Sequence, residues 1–146
     1  MVTQETKSIS FILNDTYQIH FNDSIVPFTG IEDLSVKLYY APFMIYAFEG
    51  GENPSYIYMN LAAQRFFEIE EHEVKSSKVL SSIDPLLQSN VMGFYNEIKN
   101  RKRFVNYSSS RITKSGKRVR FENAYQWVLE DDNGNYIGQA CLEPLF

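Results

Sequence analysis

The last third of the chain limits the fold most, because it predicts three consecutive strands joined by tight turns. Strand-like runs at residues 104–113, 119–129 and 136–142 are separated by polar turns that contain Gly116 and Gly134. Such turns are typical of hairpin loops, in which glycine takes the left-handed conformation. The sequence therefore predicts a three-stranded antiparallel meander at the C-terminal end.

The first 41 residues predict two helices. Thr29 with Glu32 three positions later predicts a capping box at the start of the second helix. Pro42 disfavours helical geometry in the residue before it, so this helix should end by Ala41. We expect the polar residues 1–7 to be frayed. Apolar residues at the four-residue spacing of a helical face mark the first helix; they are Ile9, Leu13, Tyr17 and Phe21.

The middle of the chain predicts two strands and then helices. Residues 43–48 form an uninterrupted apolar run, which indicates a strand covered on both faces, and residues 56–59 form a short second strand. Asn60 is the predicted N-cap of a helix over residues 61–68. Asp84-Pro85 predicts the start of the most clearly periodic helix, over residues 85–103.

Composition indicates one globular domain: 146 residues, 44% hydrophobic and 22% charged. The net charge of −4 argues against nucleic acid as the main partner. One cysteine cannot form an internal disulfide, and the apolar runs are too short to cross a bilayer, so we expect a cytoplasmic protein without membrane association. His20 and His72 are the only histidines, and the chain has no phosphate loop or nucleophile motif. We therefore expect neither an enzyme nor a metal site.

Short segments spread over residues 38–142 carry a resemblance to a known family. They are Leu38-Tyr39-Tyr40-Ala41-Pro42-Phe43, Asn53-Pro54, Tyr58-Met59-Asn60-Leu61-Ala62-Ala63, Phe67-Glu68, Arg111-Ile112-Thr113-Lys114-Ser115-Gly116-Lys117-Arg118, Trp127, Asp131-Asp132-Asn133-Gly134 and Gly138-Gln139-Ala140. In this order they resemble a PAS domain, and most closely the PAS-like MEKHLA family. The resemblance implies an α+β fold with a five-stranded antiparallel sheet in the order 2-1-5-4-3, helices on one face and an N-terminal helical extension. It divides the single structural unit into the extension, residues 1–41, and the PAS-like domain, residues 42–146.

The resemblance also implies a stand-alone sensory module, related to signalling, that holds a small organic molecule between the sheet and the core helices. Light-oxygen-voltage relatives need a cysteine after the acidic helix for the flavin adduct, and residues 76–80 contain none. Haem-binding relatives use a histidine on the long helix, and residues 85–103 contain none. We therefore expect no flavin adduct and no haem. The chain departs from the family at Ala47-Phe48, where the family has Ser-His.

Two assignments of the strand at residues 119–129 remain open. Binary patterning turns Phe121, Tyr125 and Trp127 toward the core helices. The resemblance instead turns them outward and places Glu122, Ala124, Gln126 and Val128 against the pocket, which is the assignment we favour. The turn at residues 131–134 then predicts pairs between Val128 and Gly138 and between Gln126 and Ala140. On this assignment the pocket is lined by Met44, Tyr46, Tyr58, Phe66, Val79, Tyr95, Glu122, Gln126 and Ala140.

The outward aromatic face needs a cover, because so many aromatic rings should not be exposed to solvent on a monomer. The N-terminal helices or a second subunit could supply it, so we expect a homodimer or a partner protein. One alternative function is accordingly a ligand-free module that dimerises or docks through its sheet. Another is binding of nucleic acid or an anionic partner, because nine of the 14 Lys and Arg lie at residues 99–120, beside Phe104 and Tyr107. An anionic ligand reached by Arg111 or Arg120 also stays open.

Overall fold

The computed structural model describes residues 3–144, which form one five-stranded antiparallel sheet in the order β2-β1-β5-β4-β3. The strands are β1 (Met44–Glu49), β2 (Tyr56–Met59), β3 (Arg103–Ile112), β4 (Arg118–Glu130) and β5 (Tyr136–Glu143). The α-helices are α1 (Gln4–Phe21), α2 (Ile31–Tyr39), α3 (Leu61–Phe67) and α4 (Gln88–Arg101). The predicted fold class, strand order and N-terminal extension are confirmed. No helix within residues 3–144 has both the length and the apolar character to cross a membrane.

Side chains on the two faces of the sheet belong to two separate apolar clusters, because successive residues of a strand point to opposite faces. The inner cluster joins the sheet to α3, α4 and the 3₁₀ helices Glu71–Ser76 and Val79–Ser82. Its fully buried members include Tyr46, Phe48, Tyr56, Phe67, Val79 and Phe121. The outer cluster joins the other face to α1 and α2, and its members include Leu13, Leu34, Leu38, Ile45 and Trp127. Strand β1 contributes to both clusters, as its uninterrupted apolar sequence predicted.

The helix starts follow local hydrogen bonds, and two of the predicted starts are wrong. Helix α1 begins at Gln4, because the Thr3 hydroxyl accepts the Thr6 N–H at 3.1 Å. Residues 4–7 are therefore helical and not frayed as predicted, and residues 1 and 2 lie outside the described residues. The predicted capping box at α2 is also wrong, because the N-cap is Gly30 and the Thr29 N–H donates to the Asp33 carboxylate at 2.9 Å.

Asn60 is the predicted N-cap of α3, and its side chain also connects three other parts of the fold. Its Oδ1 accepts the Ala63 N–H at 3.0 Å, which caps the helix. The same oxygen accepts the Ile45 N–H, and its Nδ2 donates to the carbonyls of Leu38 and Phe43. One buried amide therefore fixes α2, β1 and α3 relative to one another.

Two bulges interrupt the β3–β4 pair and decide which β4 side chains face inward. Asn106 in β3 and Asn123 in β4 have φ angles of 60° and 56°. Asparagine tolerates this left-handed conformation better than most residues. The paired residues are Phe104 with Gln126, Tyr107 with Ala124 and Ser109 with Phe121, so each strand inserts one residue into the ladder. The regular alternation of β4 therefore breaks at Asn123, and Phe121 lies in the inner cluster with Ala124.

The β4–β5 hairpin contains a further irregularity that shifts the pairing. Gly134 has a φ of 79°, the left-handed conformation that its position predicted. However, Glu130 pairs with Tyr136 while Leu129 pairs with Gly138, so β5 contains one extra residue. As a result Val128 pairs with Gln139, Gln126 pairs with Cys141, and Trp127 pairs with Ala140. The predicted pairs Val128–Gly138 and Gln126–Ala140 are therefore wrong by one residue.

Helix α1 covers the outer aromatic face within one chain. Tyr17 meets Trp127 edge-on at a centroid distance of 5.1 Å, and Phe21 meets Tyr125 in the same way at 5.1 Å. The buried indole N–H of Trp127 donates to the Thr16 hydroxyl at 2.9 Å. Covering Trp127 and Tyr125 therefore requires no second subunit.

Candidate functional site

A guanidinium group lies inside the inner cluster. Arg111 is 1% exposed, although β3 is the edge strand of the sheet. Its side chain points inward because Tyr107, Ser109 and Arg111 occupy alternate positions of the strand after the Asn106 bulge. Its Nη2 donates to the hydroxyls of Tyr95 and Tyr107 at 3.2 and 3.3 Å, and contacts that of Tyr46 at 3.5 Å.

The other contacts of Arg111 are also with neutral groups. Its Nη1 donates to the Ser110 carbonyl at 3.1 Å and to the Ser109 hydroxyl. The guanidinium carbon lies 5.2 Å from the centroid of the Phe121 ring, within the range of a cation–π contact. Within residues 3–144, no carboxylate forms an ion pair with Arg111, and its Nε is buried without a hydrogen-bond partner.

Two phenols beside Arg111 and a thiol in the same cluster stay uncharged at neutral pH. Burial raises the pKa of Tyr46 and of Tyr95 above the usual value for a phenol, so both remain protonated. Burial also raises the pKa of the Cys141 thiol to about 12, and this residue lies in the same cluster. Arginine keeps its proton in proteins. The cluster therefore carries one positive charge that no neighbouring side chain balances.

A second set of polar groups enters the inner face from β4 and β5. Gln139 Nε2 donates to the Tyr95 carbonyl at 2.7 Å and to the Tyr136 hydroxyl at 3.1 Å. Gln139 Oε1 accepts from Gln126 Nε2 at 3.0 Å. Because the Tyr95 carbonyl can only accept, it fixes the orientation of the Gln139 amide, which in turn fixes that of Gln126. Gln126 Oε1 is left buried without a donor among the described residues.

Two clefts border the inner cluster at opposite sides. One has a volume of about 330 Å³ and is lined by residues of α3, the 3₁₀ segments and the end of β3, including Phe67, Ser82 and Ile112. The Ser82 hydroxyl also bonds the Tyr56 hydroxyl at 2.8 Å, inside the cluster. The other cleft, of about 250 Å³, includes Tyr95 and Tyr136 in its lining. Ser82 and Tyr95 therefore line a cleft and also bond to buried polar groups of the core.

The structure brings six of the nine predicted lining residues to the inner side. Met44, Tyr46, Val79 and Tyr95 are buried in the inner cluster, and Phe66 packs against it. Gln126 is buried on the same side, through its bond to Gln139. Their role in binding a ligand stays a prediction.

The other three predicted lining residues lie elsewhere. Tyr58 and Ala140 belong to the outer cluster, Ala140 because the extra residue in β5 shifts its pairing. Glu122 is exposed beside the Asn123 bulge, and its carboxylate accepts from Arg120 at 3.1 Å. Phe121 was predicted on the outer face, but the Asn123 bulge turns it inward and it is buried in the inner cluster. Tyr125 and Trp127 lie on the outer face.

Sequence reasoning missed Arg111, Tyr107 and Gln139 as members of one site. The sequence grouped Arg111 with the basic residues at 99–120, but most of the others form ion pairs. Five of these cations have carboxylate partners: Arg101 with Glu97, Lys102 with Glu130, Lys114 with Glu73, Arg118 with Asp84 and Arg120 with Glu122. The alternation of Tyr107, Ser109 and Arg111 along the strand was the available signal that Arg111 faces the core and not the solvent.

Among residues 3–144, one group has atoms spaced closely enough for a metal ion, namely Glu70, His72 and Glu73, within 4.8 Å of one another. Glu70 and His72 are exposed. The Glu73 carboxylate already accepts from Lys114 and from the Glu70 N–H. Exposed acidic residues with such partners do not by themselves indicate a metal centre.

The fold is that of PAS domains. A PAS domain from Colwellia psychrerythraea superposes with a TM-score of 0.67 at 10% identity, covering 80% of this chain and 96% of that one. A light-oxygen-voltage domain studied with a flavin analogue has a TM-score of 0.59 at 12% identity, with 76% and 82% covered. A PAS domain from a two-component sensor histidine kinase has a TM-score of 0.56 at 17% identity, with 74% and 87% covered.

A family model identifies one family among proteins with this fold. The model of the MEKHLA domain matches residues 7–144, from within α1 to beyond the last strand. The chain therefore belongs to the MEKHLA domain family, and the family predicted from the sequence is confirmed. The comparison with curated proteins gave no match.

Proposed function

We propose that this domain is a sensory module that binds a small organic molecule in the inner cluster, between the sheet and helices α3 and α4. One observation carries the proposal: Arg111 Nε and Gln126 Oε1 are both buried there without partners among residues 3–144. Buried polar atoms nearly always have a hydrogen-bond partner, and each exception needs a cause, such as strain, a water, an ion or a bound molecule. A molecule with an acceptor for Arg111 and a donor for Gln126 would satisfy both.

Binding requires that aromatic rings move, because they fill the space beside Arg111. Phe67 lines the cleft of about 330 Å³ and also packs edge-on against Tyr46 at a centroid distance of 5.4 Å. Rotation of the Phe67 ring would join this cleft to the inner cluster. The adjoining wall, residues 71–87, consists mainly of short 3₁₀ helices, whose hydrogen bonds have poorer geometry than those of α-helices. We infer that this wall opens when the ligand enters and that the bound state is a second conformation of the domain.

The test is native mass spectrometry of the freshly purified full chain, followed by unfolding and analysis of released small molecules. We expect a ligand-bound mass that falls to the mass of the chain on unfolding. Gln126→Leu should weaken binding of the same ligand by about 1–3 kcal/mol, because a ligand donor loses its partner. Tyr125→Leu, which changes the neighbouring side chain on the opposite face, is the matched control. A bare chain in the native spectrum, with no stabilisation by extracted small molecules, would contradict the proposal.

The interaction module remains the second candidate, but its predicted surface has changed. Trp127 and Tyr125 are packed against α1, so docking through this face would require α1 to leave. A homodimer or partner protein would have to use another surface. The native spectrum tests this candidate as well, because it gives the subunit count together with the ligand.

A further inference from the structure

We propose that the ligand is an organic carboxylate whose carboxyl group pairs with Arg111. This inference rests on the proposed function and specifies the chemistry of its ligand. The site consists of the guanidinium of Arg111 and the hydroxyls of Tyr46, Tyr95 and Tyr107 that surround it. The remaining wall is formed mainly by aromatic and aliphatic side chains of the inner cluster, including Phe67, Val79 and Phe121.

The first reason is charge. A buried guanidinium is strongly unfavourable unless an opposite charge compensates it. The partners of Arg111 are a carbonyl and hydroxyl oxygens, all neutral. Within residues 3–144, the carboxylates that form ion pairs each bind a basic residue other than Arg111. A ligand with one negative charge would neutralise the cluster.

The second reason is hydrogen-bond geometry. The two N–H groups of Arg111 Nη2 face three phenol oxygens, at 3.2, 3.3 and 3.5 Å, and the Nε–H has no acceptor. A carboxylate can accept from Nε and Nη2 together, in the bidentate arrangement that arginine favours. The displaced phenols are donors as well as acceptors, so they could then donate to the same carboxylate. The site thus has donors in excess, as an anion requires.

A carboxylate fits better than a phosphate ester, although both present anionic oxygens. A phosphate carries about two negative charges at neutral pH, whereas the buried site has the single cation Arg111. The aromatic wall also favours a ligand with an apolar body. Gln126 Oε1 could accept from a hydroxyl or amino group on that body.

The test compares acids with their neutral amides, using acetate, benzoate and phenylacetate against acetamide, benzamide and phenylacetamide, with inorganic phosphate as a separate probe. Thermal unfolding of the full chain is measured at constant ionic strength for the wild type, Arg111→Gln and Arg120→Gln. Arg120 is the matched control, because it lies on the neighbouring strand, paired with Ser110, with an exposed side chain. We expect at least one acid to raise the melting temperature of the wild type and of Arg120→Gln, and its amide not to do so. Arg111→Gln should bind that acid at least about tenfold more weakly.

The outcomes separate the inference from the proposed function. If an amide stabilises the chain as well as its acid, or Arg111→Gln binds the acid like the wild type, the carboxylate inference is overturned while a core ligand site remains. Stabilisation by phosphate alone, dependent on Arg111, would overturn the carboxylate and keep the anion site. If no probe acts, the charge of the molecule released from purified protein decides, since an acid supports the inference and a neutral compound refutes it. No released molecule and no active probe would overturn both proposals.

Discussion

Removal of the buried charge should stabilise the ligand-free domain. In Arg111→Gln the cation is gone, and a shorter neutral amide ends where the Nε of the guanidinium lies. Burying an ion costs several kcal/mol even after relaxation. A neutral amide costs about 1–3 kcal/mol when it is left unpaired, and less when it keeps some partners. The comparison between the two side chains therefore favours glutamine in the absence of ligand.

The magnitude depends on how much the neighbours of Arg111 offset its burial. A good hydrogen bond to a charged group contributes about 1.5–3 kcal/mol. The three phenol contacts of Arg111 measure 3.2–3.5 Å, at or beyond the long end of the usual range. The cation–π contact with Phe121 adds about 0.5–2 kcal/mol. These contributions cover part of the cost, so we expect Arg111→Gln to gain about 1–2 kcal/mol of unfolding free energy.

The measurement is urea unfolding followed by the fluorescence of Trp127, the only tryptophan. The protein must first be unfolded and refolded, so that no ligand stabilises the wild type. Arg120→Gln serves as the control for loss of one exposed charge. A loss of more than about 1 kcal/mol in Arg111→Gln, with the control unchanged, would refute the reasoning. It would mean that the phenols and serine oxygens satisfy the guanidinium without any ligand.

Three further perturbations test the fold around the site. Thr16→Val should cost about 1–3 kcal/mol in urea unfolding, because the buried Trp127 N–H loses its acceptor, whereas Thr16→Ser should be nearly neutral. Asn123→Val should cost about 1–2 kcal/mol and Asn123→Gly much less, because a β-branched residue is strained at a φ of 56°; equal costs would contradict this account of the bulge. The Asn135 and Asn133 N–H groups that bond Asp131 lower the pKa of its carboxyl below the ordinary 3.8. The Asp131 carboxylate therefore contributes fully to stability above pH 3.8, and this contribution is lost as the pH falls through the lowered pKa. Hydrogen exchange of the hairpin should show this loss in the wild type but not in Asp131→Asn.

Much of the fold follows from local signals, which is why the sequence predicted it. The Asn60 cap and the turn at Gly134 act within a few residues of their own position, and β1 is apolar without interruption because both of its faces are covered. The strand order came instead from the resemblance to PAS domains, since no local signal shows which strands are neighbours. The confirmed order therefore tests the resemblance rather than the periodicity.

The site was predicted less well, for a physical reason. A bulge of one residue exchanges the two faces of a strand beyond it. Asn106 and Asn123 produce such bulges, but an isolated asparagine within a strand-like run is a weak signal. Glu122 and Phe121 were therefore placed on the wrong faces. The environment of Arg111 depends on α4 and β1, which lie far away in sequence, so composition alone counted it as one more surface cation.

Strand β4 contacts both the candidate site and the N-terminal extension through consecutive residues. Gln126 faces the inner cluster, and the next residue, Trp127, faces α1, because consecutive side chains leave opposite faces of the strand. Trp127 is fixed there by its bond to Thr16 and by the rings of Tyr17 and Phe21. A ligand that displaces Gln126 would therefore act on a backbone segment that α1 holds directly. One peptide unit therefore separates the side chain that faces the candidate site from the side chain that contacts α1.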